Sequence, residues 1–185
     1  MIRLLVVRHG QTDWNADERL QGSTDVELNA AGVEQARETA KRLSGFAVDA
    51  VVSSPMKRAY ATAVILAEAV RCDVAVMDDF AERSVGIFEG MTMEEAKARY
   101  PELWTKVPTR QIHQGPPGGE SILDVGCRVA CGLRRIREAY SGKTVLLVTH
   151  GYVSRAVYGI LTRPSDEEYF KFRMENGQVA EYAME

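Results

Sequence analysis

Two histidines in this chain follow apolar runs and precede glycines. One closes Leu4-Leu5-Val6-Val7-Arg8-His9-Gly10 near the start, and the other closes Val145-Leu146-Leu147-Val148-Thr149-His150-Gly151 late in the sequence. An imidazole can serve as nucleophile, proton carrier or hydrogen-bond donor near neutral pH. Arg8 precedes His9, Arg58 follows Ser53-Ser54-Pro55-Met56-Lys57, and Glu82 stands a short way beyond. Transfer of a phosphoryl group needs a set of this kind: a nucleophile in line with the P–O bond, cations around the equatorial oxygens, and an acid for the leaving group. His9, when neutral, can attack phosphorus to give a phosphohistidine, and the Gly10 carbonyl can fix the tautomer of its ring. Arg8 and Arg58 can bracket the oxygens with guanidinium forks. His150 can add a donor, and Glu82 beside a dianionic phosphate would keep a proton to give away.

This chemistry requires residues far apart in sequence to share one edge of a sheet. Leu4–Val7 reads as a strand buried on both faces, and Val145–Val148 reads the same way. In a parallel sheet their carboxyl ends coincide, which is where open α/β sheets hold ligands. Between them, Asn29 can cap a helix to Leu43 that buries Val33, Ala36, Ala40 and Leu43 and ends at Gly45. A strand over Val48–Ser53, a helix beginning near Pro55 and running to Val70, and a strand over Val74–Met77 follow, the alternation expected of parallel crossovers. The spacing predicts further helices at Met93–Tyr100, stopped by Pro101, from the Ser121/Asp124 capping box to Tyr140, and at Tyr152–Leu161. Asp166–Phe170 reads as a helical turn and Gln178–Met184 as an edge strand. Three polar stretches read as loops: Asp13–Glu27, Asp78–Gly90 and Trp104–Gly119. The expected architecture is a three-layer α/β/α sandwich with a largely parallel central sheet.

Together these motifs resemble the histidine phosphatase superfamily, the phosphoglycerate mutase-like fold. Arg8-His9-Gly10 is followed at the usual distance by Thr12, Trp14 and Asn15; Gln21-Gly22 and Asp25 match the next block; Ser53–Ala59 matches the block that delivers a second arginine. Glu82, Gly86 and Glu89-Gly90 match the loop that carries the acid, Gly118-Gly119-Glu120-Ser121 the substrate loop, and Thr149-His150-Gly151 the second histidine block. The resemblance implies one histidine phosphatase domain over residues 1–185. It implies Arg8, His9, Arg58, Glu82 and His150 as catalytic residues, and Asn15, Gln21, Gly22 and Arg83 as substrate- or phosphate-binding residues. Glu27 and Asn29 depart from the pattern, standing where proline and threonine are common. Arg83 looks like the mutase branch and could hold a substrate carboxylate. The short Met91–Gly119 segment, whose basic residues are Lys97, Arg99, Lys106 and Arg110, looks like the phosphatase branch instead. The expected activity is hydrolysis of a small phosphorylated metabolite. The alternatives are a cofactor-dependent phosphoglycerate mutase or a dedicated α-ribazole phosphate or phosphoserine phosphatase.

Composition narrows the rival classes. A chain of 185 residues, 45% hydrophobic and with a net charge of −3, suits a globular protein and lacks the broad basic surface of a nucleic-acid binder. No apolar stretch approaches the roughly 20 residues needed to span a bilayer, and no signal peptide is evident, so no membrane partner and a cytoplasmic location are expected. Cys72, Cys127 and Cys131 give no disulfide framework; Cys127 and Cys131 share a helical face and are expected to be small buried residues. A metallohydrolase on His9, Glu82 and His150 is disfavoured by the arginine beside a would-be ligand, so no metal or other cofactor is expected. A P-loop is excluded by the absence of GxxxxGK[ST]. Trp14, Phe88, Met91, Trp104, Ile112 and His113 are either pocket lining or loop packing. Oligomeric state is not readable.

Overall fold

A computed structural model describes residues 1–106 and 112–185. Five strands form one sheet: β1 (Ile2–Arg8), β2 (Ala50–Ser53), β3 (Val74–Val76), β4 (Thr144–Thr149) and β5 (Val179–Met184), in the order β3-β2-β4-β1-β5. All neighbours are parallel except β1 and β5, which run antiparallel. Leu4–Val7 and Val145–Val148 are buried throughout, as two-faced coverage of a central strand requires. β1 and β4 are adjacent, with Arg8 opposite Thr149, so His9 and His150 leave the sheet side by side.

Eight α-helices accompany the sheet among the described residues. They are α1 (Asp13–Ala16), α2 (Ala30–Leu43), α3 (Lys57–Val70), α4 (Met93–Arg99), α5 (Pro101–Lys106), α6 (Ile122–Ala139), α7 (Gly151–Thr162) and α8 (Asp166–Lys171). One face of the sheet packs α2 and α3 through Ala40, Leu43, Ala59, Ala63 and Leu66. The other packs α6 and α7 through Val125, Val129, Leu133, Ile136, Val153 and Val157. This is the expected three-layer sandwich. Burying one such leucine or valine contributes about 1.5–3 kcal/mol, so the two apolar layers fix the sheet whose ends carry the polar residues.

Several helix starts follow the capping chemistry of the sequence. Asn29 accepts from the Gly32 N–H, and Ser121 and Asp124 form a reciprocal capping box. Elsewhere the boundaries differ. Asp13–Glu27 is not all loop, because Thr12 and Asn15 make a second capping box that opens α1. Pro101 starts α5 rather than ending the chain's helicity, since proline at a first helical position sacrifices no hydrogen bond. Trp104 is therefore helical, while Pro108 and Arg110 lie outside the described residues. β2 begins at Ala50, Pro55 precedes α3 by a turn, and α2 ends on Ser44. Cys127 and Cys131 are exposed, not buried: the inner face of α6 runs through Val125, Val129, Leu133 and Ile136, and both cysteines fall off it. No helix among the described residues is long and apolar enough to cross a membrane.

Candidate active site

The carboxyl ends of β1, β2 and β4 surround a cavity of about 180 Å³. Arg8, His9, Asn15, Gln21, Gly22, Arg58, Glu82 and Arg83 all line it, so eight of the nine residues singled out from the sequence meet there. The ninth, His150, lies behind: its ring is fully buried, edge-on to His9 with centroids 5.1 Å apart. A larger cleft, about 560 Å³, lies between α6, α7 and the end of β5, lined in part by Arg134, Arg137 and Arg163, and holds no nucleophile.

His9 turns out of β1 through Gly10, where a side chain would collide with the Gly32 carbonyl of α2. Its Nδ1 lies 2.6 Å from the Gly10 carbonyl oxygen. That oxygen can only accept, so Nδ1 carries the proton and Nε2 keeps its lone pair. Burial, and then the charges of Arg58 and Arg8, hold the His9 pKa well below 6.5, outweighing the Gly10 hydrogen bond. The ring is neutral at pH 7. His150 is held well below 6.5 for the same reasons, burial first and Arg58 next.

Both arginines are fixed by backbone carbonyls. Arg8 donates from Nη1 to Met174 O at 2.6 Å. Arg58 donates from Nη1 to Thr24 O at 2.9 Å and from Nη2 to Gly22 O at 3.0 Å. The Nε atoms of both are buried without partners. Burial lowers the pKa of each, yet an arginine stays charged. Two unpartnered buried donors beside a neutral nucleophile suit an incoming anion (an unpaired buried donor costs about 1–3 kcal/mol that such a ligand recovers). Asn15 contributes a further donor: its Oδ1 caps Thr12, which leaves the amide Nδ2.

The loop that carries Glu82 is clamped from behind by α6. Arg128 donates to the carbonyls of Asp79 and Ala81 at 2.9 and 2.6 Å and grips the Glu120 carboxylate at 2.8 and 3.0 Å. Glu120 in turn accepts from the Ser84 N–H, and its carbonyl accepts from Arg83 Nε. Glu82 itself accepts from the N–H groups of Arg83 and Tyr152, the latter in the first turn of α7. Glu89 ties this loop to the one that holds Arg58, accepting from Ser23, Thr24 and Ser84. Burial pushes its pKa up, but those hydrogen bonds outweigh burial and the carboxylate sits below its usual range.

Some residues that shape the site carry little or no signal in the sequence. Tyr152 lines the cavity under the Arg83 guanidinium, 4.6 Å from ring centroid to Cζ. Asn176 donates to the His9 carbonyl, and Arg19, Leu20 and Val85 complete the wall. An aromatic after a histidine-glycine was a possible signal for Tyr152; the others depend on long-range pairing. Of the six residues left open between lining and packing, none lines this cavity: Phe88, for instance, packs edge-on with Tyr100 and Trp104. Among the described residues no three His, Cys, Asp or Glu side chains group as a metal site would need.

Comparison with known proteins matches residues 4–185 to the histidine phosphatase superfamily (branch 1). An uncharacterized phosphatase, PhoE, of Bacillus subtilis is 40% identical over 95% of this chain and 85% of its own. Phosphoserine phosphatase 1 of Hydrogenobacter thermophilus is 35% identical over 100% of this chain and 88% of its own. The solved mycobacterial glucosyl-3-phosphoglycerate phosphatase in complex with VO3 superposes with a TM-score of 0.88 at 30% identity, covering 97% of this chain and 90% of that one.

Proposed function

The chain belongs to the histidine phosphatase superfamily and, like the phosphatases it matches, hydrolyses small phosphorylated metabolites; we propose that it does so through a phosphohistidine on His9. The observation that carries this is the 2.6 Å bond from His9 Nδ1 to Gly10 O, which leaves a neutral Nε2 lone pair on a ring that lines the same cavity as two fixed guanidinium groups. Nε2 attacks phosphorus, the P–N bond forms, and the P–O bond to the leaving group breaks as Glu82 gives that oxygen its proton. Water then attacks phosphorus, returns a proton to Glu82, and releases inorganic phosphate as P–N breaks. Arg8, Arg58, Asn15 and His150 hold the equatorial oxygens, and the two arginines supply the positive charge that a metal would otherwise bring. Residues 1–185 act as one domain in this reading, and a cytoplasmic location suits an intracellular metabolite.

We assign the substrate class as a small phosphorylated carboxylic acid. A cavity of about 180 Å³ has room for little beyond a phosphate and a short body, and Arg83 in its wall is anchored through Nε. The phosphoserine and glucosyl-3-phosphoglycerate of the relatives' names both bear a carboxylate. Arg83→Leu should raise KM for phosphoserine or 3-phosphoglycerate and leave it unchanged for a phosphate monoester of similar size without a carboxylate, such as phosphoethanolamine. An equal rise for both removes the assignment.

A mutase would need a closed, cation-rich lid to keep water from the intermediate. Of the basic residues in Met91–Gly119, Lys97 stacks over Trp104 and Arg99 over Tyr100, and neither lines the cavity. This favours water as the acceptor. Incubation with 3-phosphoglycerate and a trace of 2,3-bisphosphoglycerate should release inorganic phosphate with little 2-phosphoglycerate. Isomer formation far outrunning phosphate release makes the enzyme a mutase.

A further inference from the structure

We infer that Ser54 is a positioning residue: it fixes His150 in the tautomer that carries its proton on Nδ1, opposite to His9. The Ser54 hydroxyl lies 2.7 Å from His150 Nε2, and both residues are fully buried. The oxygen of that hydroxyl already accepts from the Met56 N–H at 3.3 Å. Its own proton needs an acceptor, because a buried hydroxyl left undonated costs about 1–3 kcal/mol. Among the described residues the acceptor within reach is His150 Nε2. The neighbouring Ser53 hydroxyl is turned elsewhere, donating to the Ser54 carbonyl.

The tautomer follows by elimination. With Ser54 donating to Nε2, a neutral ring must carry its hydrogen on Nδ1. That atom is buried and has no partner, beside His9 and within the field of Arg8 and Arg58. An N–H so placed is a preorganised donor for a phosphoryl oxygen, and as a neutral donor it adds no repulsion to the two guanidinium groups. The opposite tautomer would aim a lone pair at the anion. Ser54 is held for this task by its own backbone: its N–H donates to Val148 O at 3.0 Å, tying the end of β2 to the end of β4.

The inference rests on His150 as a phosphoryl donor, and the test separates the two. In the unaltered enzyme, long-range ¹H–¹⁵N correlation of the histidine rings should show His150 with a protonated Nδ1 and an unprotonated Nε2. A protonated Nε2 overturns the assignment whatever the activity. Ser54→Ala should let the ring adopt either tautomer and lower kcat roughly 10- to 100-fold with KM little changed. Ser54→Cys, which keeps a donor, should recover part of the loss. In a His150→Gln background, Ser54→Ala should cost nothing further, and an equal cost in both backgrounds shows that Ser54 acts independently of His150. If His150→Gln alone leaves kcat intact, the donor role falls while the tautomer result stands on its own.

Discussion

The ends of β1 and β4 are built alike, an apolar strand running into histidine and glycine, and the two rings sit 5.1 Å apart in the same desolvated, doubly cationic surroundings. Yet they present opposite faces to a phosphate. His9 is oriented by its own next residue, through the Gly10 carbonyl, and offers a lone pair. His150 is oriented by a residue just beyond β2, through the Ser54 hydroxyl, and in the tautomer we infer offers a hydrogen. In the mechanism we propose, a nucleophile and a donor thus arise from one residue type in one environment, and what separates them is whether the neighbouring group accepts or donates.

The largest expected effect comes from removing the attacking ring. His9→Ala should abolish the acid-labile, base-stable phosphoenzyme and cut turnover by roughly 10⁴-fold or more. His150→Gln should leave the phosphoenzyme detectable while slowing its formation about 10²- to 10³-fold, as loss of one preorganised donor does. A labelled His9→Ala protein, or identical losses for both variants with no label in either, ends the division of labour.

Next comes the acid that serves the nucleophile. Glu82→Gln should slow hydrolysis of alkyl phosphates by about 10²- to 10⁴-fold and harm an activated aryl phosphate far less, since that leaving group hardly needs a proton. Equal losses on both substrates make Glu82 a binding residue.

A smaller effect concerns stability and treats the two histidines together. Their folded-state pKa values lie well below 6.5, the value each would have in the unfolded chain. Below pH 6.5 the unfolded chain takes up protons that the folded chain refuses, so stability should fall as pH drops through that point. Denaturant melts at pH 7.5 and 5.5 should show the decline, and His9→Gln with His150→Gln should flatten it. An unchanged slope in the double variant places the acid sensitivity elsewhere. The smallest effect expected is none: exhaustive treatment with a chelator should leave turnover intact, and activity lost and then restored by zinc or magnesium reverses the assignment of positive charge to the arginines.

How much of this was legible follows from the same contrast. His9 and Gly10, Arg8 and Arg58 could be read because each sits at the end of a strand or the start of a helix whose apolar pattern marks it. Glu82, in the loop beyond β3, is legible only beside those residues and through the resemblance of its loop to the family's. Ser54 stood in plain view beside Pro55, but its partner is determined by β2 lying against β4, a register no local pattern carries. Arg128 is similar: it reads as a polar position on α6, and only packing reveals that it holds the Asp79 and Ala81 carbonyls behind Glu82. The exposed cysteines are a different case. The phase of Val125, Val129 and Leu133 places them off the buried face, so the sequence already contained the correction. Trp104 is helical because Pro101, which follows the end of α4, is also the first residue of α5.

The strand order has a consequence for how the enzyme comes into being. β1 is made first, but both of its sheet neighbours, β4 and β5, come from residues 144–184, and β4 must also slot between β1 and β2. A chain still emerging from the ribosome therefore holds His9, Arg8 and Arg58 without the strand that joins them. The edges of its earliest apolar strand stay open until residues 144–184 have been translated, a non-local closure of the kind that slows folding. The two histidines can therefore meet only once β4 lies between β1 and β2.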